Sequence, residues 1–509
     1  MPTMNNQYIK NIGIISLAPL ISTIMSFFAE PWISRMWGPI PYGIGAYYTS
    51  VMTILSGLMF LRYNFAIVQA NTKEKAYNLV ALSLIIMSVM LVVVAPFYKQ
   101  ISRFGRADFP FEKYGGVMFF SAAVTSMAIL LRFWFSGQKK FVIISASLVL
   151  SSASNTILLL IFGFLGRVSD GNMIFIRVLS NVLVTSALLI SFIRSNFLEM
   201  LQSVSLKGIA AVAKEFKRYP LYEYWGFAAN TLAVGLPILL ITRYWGQEAT
   251  GYYAKAHNIL NLMINFAGSS VNRVLHKEAA DIVNRGESPA SLLMQTTIGL
   301  AKYMIFPSLF LILLAPEFFG IVLGERWRIS GVFTQYMTVW TFAAIYSSAV
   351  LPMFGVLNKQ LQLSVFTVST LILRVAILMG LGKAGSEIVF ATAVFAFGNF
   401  LVLTVKSIYI LAKSGVNLRR LGKTLGRYLL VLVPYFLAVL GMKHLLKLSD
   451  LYLVIISVAL ALPYVYYFYI YKSDLANMVF AKGKSMMRIN GRFAKRKETE
   501  VQDLEEKDF

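Results

Sequence analysis

The sequence predicts an all-α polytopic membrane protein of about 14 transmembrane helices, arranged as two six-helix bundles related by a parallel internal repeat plus a C-terminal helix pair. Three observations predict this class. The chain of 509 residues is 57% hydrophobic and only 14% charged. Apolar runs of about 20 residues, the length that crosses a bilayer as an α-helix, recur from end to end. A tryptophan-containing motif occurs once in each half.

The repeated motif has the form R-x-W-G-x4-G-x2-A and joins two long apolar segments in each half. One copy begins at Arg35 and the other at Arg243. The chain has only 7 tryptophans, so two in matched register indicate an internal duplication. The alternative is two similar interfacial turns, with Arg and Trp at the headgroups and Gly in the turn. An even number of crossings separates the copies, so a duplication places both on the same membrane face.

Hydropathy defines each predicted span in turn. Long apolar stretches are separated by short segments that carry most of the charge. Because almost every connecting segment is short, the sequence predicts no soluble domain on either side of the membrane. The spans cover residues 10–37, 42–69, 76–98, 114–136, 141–165, 172–196, 221–243, 249–272, 290–316, 330–357, 361–382, 387–412, 428–446 and 451–471.

The spans divide the chain into five segments. The segment between the bundles carries Lys207, Lys214, Lys217 and Arg218 among apolar residues, which predicts an amphipathic helix on the inner membrane surface. The tail turns from basic to acidic, a pattern typical of disorder. The segments are an N-terminal transmembrane bundle at 1–196, a cytoplasmic amphipathic linker at 197–220, a C-terminal transmembrane bundle at 221–412, an extra helix pair at 428–471 and a charged cytoplasmic tail at 472–509.

The distribution of basic residues predicts orientation. Lys and Arg are more frequent in the segments that a cytoplasmic N-terminus places inside the cell, so both termini are predicted to be cytoplasmic. The expected location is the bacterial cytoplasmic (inner) membrane, as a multi-pass protein. The net charge of +24 is then explained by orientation and by anionic membrane lipids as partners, and nucleic acid is not expected as a partner.

Several kinds of chemistry are excluded by what the sequence lacks. There is no cysteine, which excludes disulfides, thiolate metal sites and cysteine nucleophiles. The 3 histidines have no metal-ligand spacing. Neither a phosphate-binding Walker loop nor a G-x-S-x-G nucleophile motif occurs. We therefore expect no catalytic residue, no metal and no cofactor, and we do not expect an enzyme.

Charged residues inside the predicted spans are costly, because a Lys or Arg at mid-bilayer costs on the order of 3 kcal/mol or more. Acidic residues at comparable depth are too few to pair with all the basic ones. The set therefore predicts an internal cationic cavity between the bundles, suited to an anionic substrate. The alternative, for the four that lie nearer a surface than Lys302 and Arg374, is extension to the headgroups. The cavity candidates are Arg62, Arg177, Lys255, Lys302, Arg374 and Lys406.

Acidic residues and prolines in the spans indicate where the protein moves or couples to an ion. Glu30 stands beside Pro31 in the first span, and Glu223 lies near the inner end of the seventh. A proline removes a backbone hydrogen bond and permits a kink, so these three residues are candidates for coupling or gating. Static packing of kinked helices is the alternative interpretation.

Taken in order, several short motifs resemble one family. Over residues 10–415 the chain resembles the polysaccharide flippases of the multidrug/oligosaccharidyl-lipid/polysaccharide exporter superfamily, in particular the O-antigen-type flippases of bacteria. Where that family often has an acid after R-Y, this chain has Asn64. The motifs are SRMWG at 34–38 with YG at 42–43, LRYNFAI at 61–67, KAYNL at 75–79, PILLI at 237–241, GYYA at 251–254, and LGERW at 323–327 before Gly331.

The resemblance implies a fold, a substrate and partners. It implies two six-helix bundles in a V shape that alternate between inward-open and outward-open states. The implied substrate is an undecaprenyl-diphosphate-linked oligosaccharide repeat unit, moved from the cytoplasmic to the periplasmic or outer leaflet in polysaccharide, O-antigen and lipopolysaccharide biosynthesis. Other glycan-assembly membrane proteins are implied partners. The superfamily commonly uses a proton or sodium gradient, and the final helix pair matches its fourteen-helix members.

Three other functions compete with this one. An ion-coupled multidrug exporter of the same fold would carry a cationic drug, and such a substrate favours acidic residues in the cavity, whereas these candidates are basic. A membrane-embedded polysaccharide polymerase or acyltransferase would need a large outer loop or a catalytic histidine pattern. A membrane scaffold would leave the buried charges and the duplication without a role.

Overall fold

In this computed structural model of the chain, residues 6–97 and 111–466 are described, with side chains at 21–96, 114–264 and 275–466. Within these ranges every regular element is a helix. Proline at the first position of a helix and serine or threonine caps fix several starts. Pro39 begins the second helix, and the Thr72 side chain accepts a hydrogen bond from the Lys75 N–H at the start of another.

The helices of the first half follow the predicted spans closely. The second predicted span, 42–69, is not one straight helix as expected, since it bends by 65° between Pro39–Leu58 and Tyr63–Gln69. At the bend Leu61 and Arg62 have left-handed φ angles of 46° and 69°. The helices are α1 (Asn6–Met36), α2 (Pro39–Leu58), α3 (Tyr63–Ala66), α4 (Lys73–Val94), α5 (Phe111–Gly137), α6 (Phe141–Phe164) and α7 (Asp170–Ser203).

The linker and the second half continue the same pattern. The linker helix α8 is shorter than the predicted segment, because residues 197–203 extend α7 instead. A π-helical turn, Tyr219–Glu223, leads into the second half. The linker contains α8 (Leu206–Glu215). The helices that follow it are α9 (Tyr224–Asn284), α10 (Ala290–Leu323), α11 (Arg328–Val350), α12 (Met353–Val356), α13 (Gln360–Lys383), α14 (Ile388–Lys413), α15 (Leu418–His444) and α16 (Asp450–Val465).

Helix α9 contains two predicted spans, which are joined at Gly246. This glycine has φ of 89° and ψ of −176°, a backbone conformation that is accessible to glycine. The break divides α9 into a first arm at 224–245 and a second arm at 247–284. Gly246 is the glycine of the second R-x-W-G motif, so the motif forms a turn between spans as predicted.

The described part of the chain is built to cross a membrane. Ten of its helices are long and apolar enough to do so, and the bent pair that contains α2 raises the number to 11. Helix α16 is shorter, with 16 residues, and the rest of its predicted span, 467–471, lies outside the described residues, as does the tail at 472–509. The predicted all-α polytopic class is confirmed.

The two copies of the repeated motif lie on the same face of the molecule. The Trp37 indole donates to the Leu159 carbonyl oxygen at 2.9 Å, near the end of α6. The Trp245 indole donates to the Ser386 carbonyl oxygen at 2.7 Å, just after α13. Helices α6 and α13 are the fifth spans of their halves, so each tryptophan bonds to the equivalent end of its own bundle. This correspondence is what a parallel duplication requires.

The C-terminal helix pair packs against the second half. The Lys443 ammonium group on α15 pairs with the Glu317 carboxylate on α10 at 2.7 Å. Arg328 pairs with Glu325 at 2.7 Å and also with Asp450 at the start of α16. These ion pairs attach both added helices to one bundle.

Candidate functional site

A contact between the two halves brings together residues from both copies of the repeated motif. We call it the outer contact, because it lies on the face that the distribution of basic residues assigns to the outside. Its residues are Glu30, Ser34, Arg35, Tyr42 and Gly43 from the first half, and Gly251, Lys255, Asn258, Ile321 and Trp327 from the second.

Two glycines allow the backbones of α2 and α9 to touch. A Cβ atom on Gly43 would lie 1.9 Å from the Gln247 carbonyl oxygen, and one on Gly251 would lie 2.0 Å from the Pro39 carbonyl oxygen. The contacts are reciprocal, since Pro39 and Gln247 occupy the same position in the two motifs. Small residues permit such close approach between membrane helices. The motif glycines therefore serve as the contact surface between the halves.

Lys255 lies at the centre of the outer contact with none of its side chain exposed. Its ammonium group pairs with the Glu30 carboxylate on α1 and donates to the Ser34 hydroxyl at 2.8 Å. The same nitrogen lies 3.9 Å from the ring centre of Tyr42 and 4.4 Å from that of Trp327. Because a buried charge needs a counter-charge and hydrogen bonds, Lys255 ties the second half to the first.

Three further hydrogen bonds cross the outer contact. The Trp327 indole donates to the Ser34 carbonyl oxygen at 2.8 Å, and the Arg35 guanidinium donates to the Ile321 carbonyl oxygen at 3.0 Å. The Asn258 amide donates to the Tyr42 hydroxyl at 2.9 Å. Together with the glycine contacts, these bonds close the halves against each other at this end.

Arg177 contacts the middle of α2, and Arg62 lies just beyond its C-terminal end. Arg177 donates to the Thr49 hydroxyl at 3.0 Å, and Glu30 is within its electrostatic reach. Arg62 lies at the bend that follows α2, with its guanidinium carbon 4.6 Å from the Phe65 ring centre and 4.3 Å from that of Phe227 in the second half. Arg62 therefore stacks on aromatic rings across the halves.

The other predicted acidic and basic residues occupy separate places. Glu223 is exposed at the end of the π-helical turn, within electrostatic reach of Arg62. Lys302 is buried in α10, with 9% of the residue exposed. Lys406 is half-buried on α14, within electrostatic reach of Arg374.

Arg374 binds to other parts of the second half. Its Nε donates to the Asn399 side-chain oxygen and its Nη1 to the Ala233 carbonyl oxygen, both at 2.6 Å. The structure thus places Lys255 in the outer contact, Arg177 beside the middle of α2, Arg62 beyond the C-terminal end of α2, and Arg374 with Lys406 inside the second half. A single cationic cavity shared by all six basic residues stays a prediction.

Sequence reasoning singled out Glu30 and Lys255 separately but missed their partners. Ser34, Tyr42 and Trp327 belong to the motifs that carry the family resemblance, and the sequence predicts no pairing role for them or for Asn258. The sequence marks three of these partners by their position in a motif. Ser34 and Tyr42 flank the first R-x-W-G turn, and Trp327 is the last residue of the LGERW motif. His257, one of the histidines that lack metal-ligand spacing, lies stacked between Tyr253 and Trp340, at 5.8 and 5.7 Å between ring centres.

The described residues form two helical bundles, with apolar helices long enough to cross a membrane, that close against each other on one face. The chain belongs to the family described as polysaccharide biosynthesis protein, whose profile matches residues 8–276. No curated protein matches the chain in sequence.

Solved structures are similar to this one. A lipid II flippase MurJ in an inward closed conformation has a TM-score of 0.68 at 11% identity, covering 89% of this chain and 98% of that chain. An inward-facing multidrug resistance MATE family transporter of the MOP superfamily has a TM-score of 0.60 at 17% identity, covering 81% of this chain and 99% of that chain. At these identities the similarity shows the fold. The family and the fold together confirm the predicted superfamily.

Proposed function

We propose that this protein is a flippase that moves a polyprenyl-diphosphate-linked oligosaccharide repeat unit, with undecaprenyl as the lipid, from the cytoplasmic to the outer leaflet by alternating access. The observation that carries the proposal is the outer contact, in which a buried ion pair and two glycines close one end of the space between the halves. Membership of a polysaccharide biosynthesis family supports a glycan precursor as the substrate.

Physical chemistry explains why such a substrate needs this architecture. The sugars and the diphosphate cannot enter hydrocarbon without losing their hydrogen bonds to water, whereas the polyprenyl tail can stay in the lipid. A head group loaded from the cytoplasm leaves on the other side only when the outer contact opens. A membrane potential that is negative inside favours outward movement of an anion by about 2.3 kcal/mol per charge per 100 mV.

Opening of the outer contact separates Lys255 from Glu30. Because neither charge is stable alone in a dry site, each needs a new partner or water when the halves part. An anionic diphosphate is a suitable partner for Lys255, and a proton or sodium ion is a suitable partner for Glu30. Glu30 and its neighbour Pro31 are thus the proposed gating residues. The remaining cavity candidates stay predictions for the path of the head group, and so does Glu223 as a coupling residue.

The second candidate is a multidrug exporter, which similarity to a MATE fold leaves open. A cationic drug requires an available carboxylate in the transport path. Among the described residues of the outer contact, the carboxylate that a cationic drug could use is that of Glu30, and it is already paired with Lys255. This pairing favours an anionic substrate.

Export in cells that lack their own flippase tests the proposed function. Expression of this chain should restore glycan on the outer leaflet and remove the lipid-linked precursor that accumulates on the inner leaflet. The same cells should show unchanged resistance to cationic drugs. Drug resistance without any change in precursor distribution would instead identify the multidrug exporter.

Thiol labelling tests whether Lys406 faces water between the halves. The chain has no cysteine, so Lys406→Cys gives a single reactive group. We expect a charged, water-soluble thiol reagent to label it, because a lysine at this depth needs water or an anion near it. Lys383→Cys, which is exposed at the end of α13, should react as the positive control, and Ile372→Cys on its apolar outer face should not. Labelling of position 406 no faster than position 372 would remove Lys406 from the path.

A further inference from the structure

Pro237 removes the helical hydrogen-bond donor of a backbone carbonyl in the first arm of α9. A proline has no N–H, so the carbonyl four residues earlier, at Ala233, loses its helical hydrogen bond. Inside a membrane such a group needs another donor, because lipid offers none. The donor is Arg374 on α13, whose Nη1 lies 2.6 Å from the Ala233 carbonyl oxygen.

The Arg374 guanidinium is held in a fixed orientation. Its Nε donates to the Asn399 side-chain oxygen at 2.6 Å, and the Asn399 amide donates in turn to the Phe395 carbonyl oxygen at 2.7 Å. The rings of Trp340 and Phe395 have their centres 5.5 and 6.0 Å from the guanidinium carbon. Helices α9, α11, α13 and α14 therefore meet at this one side chain, whose planar group suits several directed bonds.

The segment that Arg374 holds also contacts the first half. The Ser50 hydroxyl on α2 donates to the Gly235 carbonyl oxygen at 2.7 Å. Gly235 lies between Ala233 and Pro237, so one short stretch of α9 is bonded to both halves. The course of α9 around Pro237 therefore bears on how the second half meets α2.

A second proline in the same half has an equivalent arrangement. Pro316 in α10 removes the helical partner of the Ile312 carbonyl oxygen, and the Gln335 amide on α11 donates to that oxygen at 2.7 Å. A side chain from a neighbouring helix thus replaces the missing backbone bond at both prolines. This second case shows that a side chain from a neighbouring helix can take the place of a backbone donor in this bundle.

We propose that Arg374 is a positioning residue, which fixes the course of α9 at Pro237 and the contact of that stretch with α2, and that it does not provide a counter-charge for the substrate. The effect on export rests on the proposed function, whereas the effect on the bundle does not. The two interpretations of Arg374 differ in one respect. A positioning residue becomes dispensable when the backbone supplies the missing donor, and a counter-charge does not.

A double-mutant cycle between Arg374→Met and Pro237→Ala tests the proposal. Arg374→Met alone should reduce export by about tenfold or more per membrane-inserted protein and should lower the melting temperature of the purified protein. Pro237→Ala provides an N–H four residues after Ala233. In the double variant this N–H should bond to the Ala233 carbonyl, so most of the melting temperature and of the export should return.

The cycle has a matched control and a readout that is independent of transport. Lys406→Met removes a neighbouring half-buried cation, and Pro237→Ala should not rescue its export. Additive losses of melting temperature for Arg374→Met and Pro237→Ala would overturn the positioning role, whatever the protein transports. Recovered melting temperature with export still lost would assign Arg374 to the substrate and would also overturn the proposal. If no variant, including the wild type, exports the glycan precursor, the proposed function fails while the melting-temperature cycle still decides the inference.

Discussion

Replacing Lys255 by methionine should reduce export by about a hundredfold or more, because it leaves Glu30 without its partner in the closed outer contact. Removing one member of a buried ion pair costs about 3–5 kcal/mol, and the lower end applies because 25% of the Glu30 side chain is exposed. A cost of about 3 kcal/mol on the closed state shifts the ratio of closed to open molecules by roughly a hundredfold. The head group could then rarely be loaded from the cytoplasm, since loading requires the outer end to be shut.

The measurement combines export with accessibility of the contact. Ser34→Cys places a thiol at a position that is 1% exposed in the closed state, and it should react faster with a membrane-impermeant reagent in the Lys255→Met background. The double variant Glu30→Gln, Lys255→Met should bring the thiol reactivity of Ser34→Cys back towards the wild-type level, because no uncompensated charge remains in the closed contact. Unchanged export together with unchanged thiol reactivity would show that the pair does not control the outer contact.

An exposed ion pair within the first half provides the matched control. Lys73 and Glu199 pair at 3.2 Å, with 59% and 45% of their side chains exposed. Pairs of this kind contribute about 0–1 kcal/mol. Lys73→Met should therefore leave export within about twofold of the wild type.

Alanine at Gly43 should abolish export, and so should alanine at Gly251. The added Cβ would lie 1.9 Å from the Gln247 carbonyl oxygen in the first case and 2.0 Å from the Pro39 carbonyl oxygen in the second. Both obstacles are backbone atoms, so a side-chain rotation cannot relieve the overlap and the halves must move apart. We expect export below about 1% of the wild type, with the protein held open on the outer side.

Gly380→Ala is the control for these glycine variants. Gly380 lies in α13, and nothing lies within 4 Å of the position that its Cβ would take. Gly380→Ala should export normally. Thiol reactivity at Ser34→Cys should rise in the Gly43 and Gly251 variants and stay low with Gly380→Ala. Normal export by either contact variant would mean that the glycines do not have to touch the opposite backbone during transport.

The fold could be predicted from the sequence to the extent that it depends on local composition. The length of each apolar run determines where a helix crosses the membrane, and the structure places helices at the predicted spans. The bend at Leu61 and Arg62 could not be predicted, because neither residue is a glycine or proline and their left-handed conformation depends on tertiary packing. Likewise, the repeated motif predicts that two turns share a face but does not show that their glycines touch.

The candidate site could be predicted only as separate residues. Lys255 and Arg374 stand out because a basic residue inside a membrane span is costly, and Glu30 stands out because acidic residues in the spans are few. Which of them pair depends on contacts between helices that are far apart in the chain. The partner of Arg374 is a backbone carbonyl, which side-chain composition does not reveal. Its presence follows from Pro237 only once the neighbouring helix is known.

Reversible cross-linking of the outer contact during transport tests the central claim most directly. Arg35→Cys and Ile321→Cys lie on opposite halves, where the arginine reaches the Ile321 carbonyl oxygen. The purified variant is reconstituted with lipid-linked oligosaccharide and treated with a bifunctional thiosulfonate about as long as an arginine side chain, and the glycan that reaches the far leaflet is measured. Lys73→Cys with Glu199→Cys, within the first half, is the control. Transport should stop when the outer pair is linked, return after reduction, and continue in the linked control. Full transport with the outer pair linked would contradict alternating access through this contact.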